Sequence, residues 1–170
     1  ITNAGHAPVW TRIDSSGVPT AAQPPVTAGL QIERRYYDRD GNPVDQASIL
    51  RNDRLVVVIR GEARTGVAHQ ALVVDLLPAG LEIENSRLGH NSSTADLDWL
   101  PELSDTRHIE SLADRYEAAL DLPPEERRFT LAYQVRAVTP GDYALPAVFV
   151  EDMYQPWFHG RGASARLAVR

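Results

Sequence analysis

The chain of 170 residues is 43% hydrophobic and 24% charged, which is enough apolar material for one large domain with an ordered lead-in. Its net charge of −6 argues against a nucleic-acid partner, and its only long apolar stretch is broken by prolines and charges, which argues against direct membrane insertion. All 17 basic residues are Arg and Cys is absent, which excludes lysine- and thiol-based catalysis, zinc–thiolate sites and disulfides.

Residues 1–28 are predicted to form a lead-in strand and linker. Residues 7–13 have strand character, whereas the proline-rich stretch 19–25 interrupts regular structure. The chain begins Ile1-Thr2-Asn3, without an initiator Met or a signal peptide. We therefore expect a piece of a longer protein, in which residues 29–170 form the main domain and the lead-in belongs either to it or to the preceding domain.

The first half of the main domain is predicted to contain three strands. Residues 30–37 alternate loosely between apolar and polar and end in the turn Asp40-Gly41-Asn42-Pro43. Residues 55–59 are continuously apolar and β-branched, which is typical of a strand that is covered on both faces. We expect residues 69–77 to form a hairpin-like pair with residues 55–59, as the best-defined part of the core.

A long irregular connection is predicted over residues 84–106, which are polar and rich in turn-forming residues. Within it, a group of apolar side chains is expected to form a satellite core that holds the loop down: Leu97, Trp99, Leu100 and Leu103. Residues 108–122 fit both a helix and a strand. The period-2 alternation of residues 115–122 favours the strand, with the helix as the alternative.

The last third shows the clearest strand pattern. Residues 129–138 alternate, and the side chains expected to face inward are Phe129, Leu131, Tyr133, Val135 and Ala137. Thr139-Pro140-Gly141-Asp142 is typical of a type II turn, so residues 143–150 are expected to return antiparallel, and residues 165–169 to close the sheet. The predicted fold is all-β, an antiparallel β-sandwich of immunoglobulin-like size with a long irregular loop.

The sequence offers no catalytic apparatus. The five histidines have no metal-binding spacing and are interpreted as isolated residues: His6, His69, His90, His108 and His159. Asp38 to Asn42 resembles the start of a calcium loop, but Ile49 stands where the bidentate Glu would be needed. We therefore predict a non-enzyme that has no catalytic residues, no metal site and no cofactor.

One segment stands out as a candidate contact surface. Residues 150–158 bring the only Met of the chain, Met153, together with Tyr154, Trp157 and Phe158. Methionine and aromatic side chains beside a charged turn are typical of a contact surface. From the residues alone, the alternative that they plug the end of the sandwich is slightly favoured.

Four stretches then carry a family resemblance: GLQIERRYYD at 29–38, LPAGLEIEN at 77–85, DRY at 114–116, and YQVRAVTPG at 133–141 followed by EDMY at 151–154. With them, nearly the whole chain resembles the C-terminal macroglobulin-like domain, MG10, of bacterial α2-macroglobulins. The resemblance implies a macroglobulin-type β-sandwich.

The resemblance also implies a function. Members of this family are periplasmic protease traps, usually anchored to the inner membrane, in which proteolysis of a bait region triggers covalent capture by a thioester. The C-terminal domain packs against the thioester domain, and a Met–Tyr pair shields the thioester from water. By position this pair is Met153 and Tyr154, with Asp152, Trp157 and Phe158 as flanking contacts. The implied partners are the other domains of the parent protein and the proteases it traps.

An alternative follows from the missing Cys, because any thioester must lie outside this sequence. The family includes a subclass that lacks the thioester and works within a multiprotein envelope complex. In such a parent, this domain would instead dock an envelope partner protein.

Overall fold

The computed structural model describes residues 2–16, 23–85, 88 and 97–170. Within these residues the fold is all-β, and the twelve strands are β1 (Val26–Ala28), β2 (Leu30–Tyr37), β3 (Arg54–Ala63), β4 (His69–Leu76), β5 (Leu81–Asn85), β6 (His108–Ser111), β7 (Arg115–Leu122), β8 (Arg128–Ala137), β9 (Gly141–Leu145), β10 (Phe149–Asp152), β11 (His159–Arg161) and β12 (Ala165–Val169). No helix long and apolar enough to cross a membrane occurs in this part of the chain.

The strands form two main sheets and a ribbon, all with antiparallel pairing. The six-stranded sheet has the order β1-β11-β10-β4-β7-β6, the four-stranded sheet has the order β2-β3-β8-β5, and β9 pairs with β12. The main hydrophobic core takes side chains from both sheets, as in a sandwich. The predicted all-β antiparallel sandwich is therefore confirmed.

Alternation correctly predicted the buried face of β8, since all five side chains expected to face inward are at most 2% exposed. The strand prediction for residues 108–122 is also confirmed, as two strands, β6 and β7. Trp99 and its apolar neighbours pack on the outer face of the four-stranded sheet, against Val56, Val58 and Ala132. This satellite core explains why β3 is apolar on both faces.

The predicted pairing of residues 55–59 with residues 69–77 is wrong. β3 pairs with β2 and β8, whereas β4 lies in the other sheet between β10 and β7. The connection between β3 and β4 is short enough for a hairpin, but here it carries the chain across the core from one sheet to the other. A continuous apolar run such as β3 does not itself indicate which strand lies beside it.

Two further expectations differ from the structure. β9 pairs with β12 instead of returning along β8, because both edges of β8 are occupied by β3 and β5. Residues 7–13 form no strand, and Trp10 within them is 97% exposed. In contrast β1, which lies at the end of the predicted lead-in, pairs with β11.

Candidate interdomain contact site

The segment singled out by the sequence forms the turn between β10 and β11, hereafter the 152–158 turn. The two strands pair directly, with Glu151 opposite His159. Inside the turn, the Asp152 amide donates to the carbonyl of Phe158 at 2.9 Å, and the Phe158 amide donates to the carbonyl of Gln155 at 2.8 Å. The turn is thus closed by its own backbone.

The side chain of Asp152 lies beneath the turn and binds its backbone amides. Its carboxyl is buried, and Oδ1 accepts hydrogen bonds from the amides of Tyr154 and Gln155, both at 2.9 Å. Oδ2 accepts a hydrogen bond from Nδ1 of His69 at 2.8 Å. Burial raises the pKa of Asp152, but the hydrogen bonds from Tyr154, His69 and Gln155 outweigh it, so the pKa lies below its usual value. The carboxylate form therefore predominates at neutral pH.

β4 supplies the other side of this support. His69 is its first residue, and the imidazole is fully buried. Nε2 of the ring is hydrogen-bonded to Oγ1 of Thr65, and the ring packs against that of Phe158 in a T-shaped arrangement with centroids 5.1 Å apart. The next residue, Gln70, accepts a hydrogen bond at its carbonyl from the Met153 amide at 2.9 Å. The turn is therefore fixed to the sheet through both backbone and side chains.

The predicted contact residues separate into two groups. Met153, Tyr154 and Trp157 project outward and are 43%, 74% and 63% exposed. Asp152 and Phe158 lie beneath the turn, where they contact His69. The structure thus brings all five residues into one turn, but it places two of them in its support.

A cleft opens beside Tyr154. It has a volume of about 620 Å³, and its lining includes Tyr154 and Gln155 of the turn as well as Arg107 and Asp121, which form an ion pair. Its lining is mixed polar and apolar and includes Leu122 and Pro123. The exposed Tyr154 is therefore one of the residues that line this recess.

Thr65, His69 and Asp152 share the connectivity of a hydroxyl–imidazole–carboxylate triad. The imidazole, however, is fully buried; one nitrogen is bonded to Thr65, the other to Asp152, and the ring packs against Phe158. The other oxygen of the Asp152 carboxylate accepts the amides of Tyr154 and Gln155, so these hydrogen bonds tie the imidazole and the carboxylate into the turn. The arrangement supports the turn. In the described part of the chain, no His and carboxylate residues cluster in a way that could hold a metal.

Sequence reasoning missed Thr65 and His69. His69 and Asp152 are 83 residues apart, and neither belongs to a local motif. Asp152 is predicted only as a flanking contact of Met153 and Tyr154, since nothing in the sequence indicates that a histidine reaches it.

Comparisons with known proteins agree with this architecture. The sequence profile of the Bacterial Alpha-2-macroglobulin MG10 domain matches residues 29–156. The alpha-2-macroglobulin of Escherichia coli (strain K12) is 38% identical over 178 residues, covering 99% of this chain and 11% of that protein. The alpha-2-macroglobulin of Xylella fastidiosa (strain Temecula1) is 37% identical over 172 residues, covering 97% of this chain and 10% of that protein.

Solved structures show the same relationship. Native Escherichia coli alpha-2-macroglobulin, from domain MG7 to the C-terminus, matches with a TM-score of 0.79 and 38% identity, covering 91% of this chain and 25% of that one. Salmonella alpha-2-macroglobulin reacted with methylamine matches with a TM-score of 0.78 and 37% identity, covering 90% of this chain and 10% of that one. The chain thus spans about a tenth of the length of its curated relatives. It belongs to the bacterial alpha-2-macroglobulin MG10 domain family.

Proposed function

We propose that this chain is the non-catalytic C-terminal domain of a protease-trapping macroglobulin, and that Met153 and Tyr154 shield a thioester on a neighbouring domain until the bait region is cut. Two relatives support the chemistry. The Salmonella protein reacts with methylamine, a small nucleophile that opens thioesters, and the Escherichia coli protein is activated by trypsin. We place the parent protein in the periplasm, anchored to the inner membrane.

The observation that carries this proposal is the combination of exposure with a fixed backbone. Met153 and Tyr154 are exposed, yet the amides of both residues are hydrogen-bonded to the domain beneath, to Gln70 and Asp152. A fixed backbone lowers the entropy cost of placing these side chains against a partner. A thioether and an aromatic ring present apolar surface to a bond that water would hydrolyse.

The composition of the domain is consistent with this role. A thioester is attacked by thiols and amines as well as by water, and the chain has neither Cys nor Lys. Its 17 basic side chains are all guanidinium groups, which remain protonated and are poor nucleophiles. The domain therefore brings neither a thiol nor a lysine amine to the bond that it covers.

The proposal is tested in the full-length parent protein before any protease is added. Tyr154→Ala or Met153→Ala should increase the rate of methylamine incorporation several-fold, because nucleophiles then reach the thioester. Leu112→Ala is the matched control, since Leu112 is 43% exposed like Met153 but lies between β6 and β7. Unchanged rates in the first two variants would show that the shield lies elsewhere.

The alternative is a docking domain of a macroglobulin without a thioester, within a multiprotein envelope complex. It is supported by the same turn, since Tyr154 and Trp157 are the exposed aromatic residues that protein interfaces favour. The parent sequence separates the two functions. A Cys-x-Glu-Gln motif upstream supports the shield, and its absence would exclude thioester protection and leave the docking function.

A further inference from the structure

We infer that His69 is a positioning residue for the 152–158 turn, which sets the direction of Met153 and Tyr154 by orienting the carboxylate of Asp152. The consequence for the thioester rests on the function proposed above. The positioning itself does not, because it concerns only contacts within this domain.

The first step concerns the carboxylate. The terminal torsion of an Asp side chain has a broad energy minimum, so hydrogen bonds to the oxygens must fix the plane of the group. Oδ1 accepts from Tyr154 and Gln155, and Oδ2 is held by Nδ1 of His69. The two amides face one oxygen because the imidazole engages the other. Without that donor only Oδ1 has partners, so the plane of the carboxylate is less strictly fixed and the amides of the turn have a less rigid acceptor.

The second step concerns the imidazole, which is itself held on every side. Thr65 binds Nε2, and the ring of Phe158 packs against the imidazole in a T-shaped arrangement. The backbone of His69 pairs with Leu122 on β7, and two residues further on Ala71 pairs with Asp152 on β10. Because two neighbouring strands hold β4 in place, the imidazole donor of His69 has a fixed position, and that position fixes the Asp152 carboxylate in the turn.

The third step concerns the free-energy cost of burying the His69 and Asp152 side chains. A buried imidazole and a buried carboxylate both lose hydration, and an apolar residue would fill the start of β4 without that penalty. The compensation is a complete set of hydrogen bonds: both ring nitrogens and both carboxylate oxygens have partners. Such a satisfied polar group specifies one geometry, which apolar packing does less sharply.

Two substitutions of His69 separate positioning from packing. His69→Asn puts an amide nitrogen close to the place of Nδ1 and keeps the donor to Asp152. His69→Gln puts its amide near the place of Nε2, towards Thr65, and loses that donor. Asn is the smaller residue and leaves the larger cavity, so a packing role makes Asn the more damaging change. A positioning role makes Gln the more damaging change.

The measurement is amide hydrogen exchange of the 152–158 turn in the full-length parent protein, followed by mass spectrometry of the peptide that contains it. His69→Gln should accelerate exchange at the Tyr154 and Gln155 amides several-fold more than His69→Asn does. Equal acceleration of exchange in both variants, or a larger acceleration in His69→Asn, overturns the inference.

Methylamine incorporation, measured in the same variants and in Tyr154→Ala, distinguishes the inference from the proposed function. If exchange follows the expected order but neither His69→Gln nor Tyr154→Ala reacts faster, His69 positions the turn and the turn is not a shield. If Tyr154→Ala reacts faster but His69→Gln leaves exchange unchanged, the shield stands and the positioning role falls.

Discussion

Tyr133 on β8 donates a hydrogen bond of 2.8 Å to Oδ2 of Asp75, which lies on β4 in the opposite sheet. Oδ1 of the same carboxylate pairs with Arg34 on β2, and the other guanidinium nitrogen donates to the carbonyl of Pro146 at 2.7 Å. The ring of Tyr116 stacks on that of Tyr133 at 4.4 Å. This buried network connects the two sheets through charged and polar groups within a largely apolar core.

Removing one member of the network is expected to destabilise the domain strongly. Asp75→Ala leaves the guanidinium of Arg34 buried without its carboxylate, which typically costs about 3–5 kcal/mol. Tyr133→Phe keeps the aromatic stacking and loses one hydrogen bond to a charged group, which typically costs about 1.5–3 kcal/mol. Urea unfolding of the 170-residue chain, followed by tryptophan fluorescence, measures both changes.

The double variant Arg34→Met/Asp75→Ala is the control. It removes both charges, so it should recover part of the stability that Asp75→Ala loses. If the double variant is less stable than Asp75→Ala, the cost lies in lost packing and not in an unpaired buried charge.

Trp99 provides a test of the satellite core. Its ring lies 5.1 Å from that of Tyr37, and its Nε1 donates to the carbonyl of Arg39 at 2.8 Å. Truncating a fully buried Trp costs about 3–5 kcal/mol, and Trp99→Ala should cost somewhat less, because this side chain is only partly buried. Trp99→Phe should recover most of the loss in urea unfolding. Equal losses in the two variants would mean that the indole hydrogen bond dominates.

Local pattern was enough to predict most of the long strands and the buried face of β8, whereas residues 7–13, which also have strand character, form no strand. Along β8 each inward side chain alternates with an outward one, so burial can be inferred from the sequence without knowledge of the neighbouring strands. The same holds for β7, whose alternation outweighed its helix-forming composition. Trp99 and its leucines were recognised because apolar residues in a polar loop need something to pack on.

Pairing and site geometry could not be predicted in this way. β3 is apolar on both faces, so its sequence does not indicate whether β4 lies beside it or across the core. β9 pairs with β12 because other strands already occupy both edges of β8, which is a property of the whole sheet. His69 reaches Asp152 only because β4 and β10 are neighbours, a pairing between residues far apart in sequence.

Gly29 is expected to be sensitive to substitution, because there is no space for a Cβ between it and Phe158 beneath the turn. Its φ is +85°, and a Cβ at this position would lie 2.6 Å from Cδ1 of Phe158. Gly29→Ala should therefore lower the free energy of unfolding by about 1–3 kcal/mol through backbone strain, and displace the Phe158 ring from His69. Urea unfolding of Gly29→Ala, Phe158→Ala and the double variant measures the coupling. The double variant should lose less than the sum, since Phe158→Ala removes the clash. Additive losses would show that strain alone is responsible.

The stability that Asp152 provides should depend on pH in a predictable direction. Its pKa in the folded protein lies below the ordinary value of 3.8, so the folded state binds this proton more weakly than the unfolded state does. The contribution is therefore fully present above pH 3.8 and is lost as the pH falls through the folded-state pKa. Asp152→Asn removes this titration.

The experiment compares the free energy of unfolding of the chain and of Asp152→Asn between pH 7 and pH 2. Other carboxylates with lowered pKa values, Asp38 and Asp114, titrate equally in both proteins and cancel in the difference. The stability advantage of the original chain should be constant near neutral pH and shrink below pH 3.8. A difference that stays constant down to the lowest pH would show that the carboxylate form of Asp152 does not stabilise the turn.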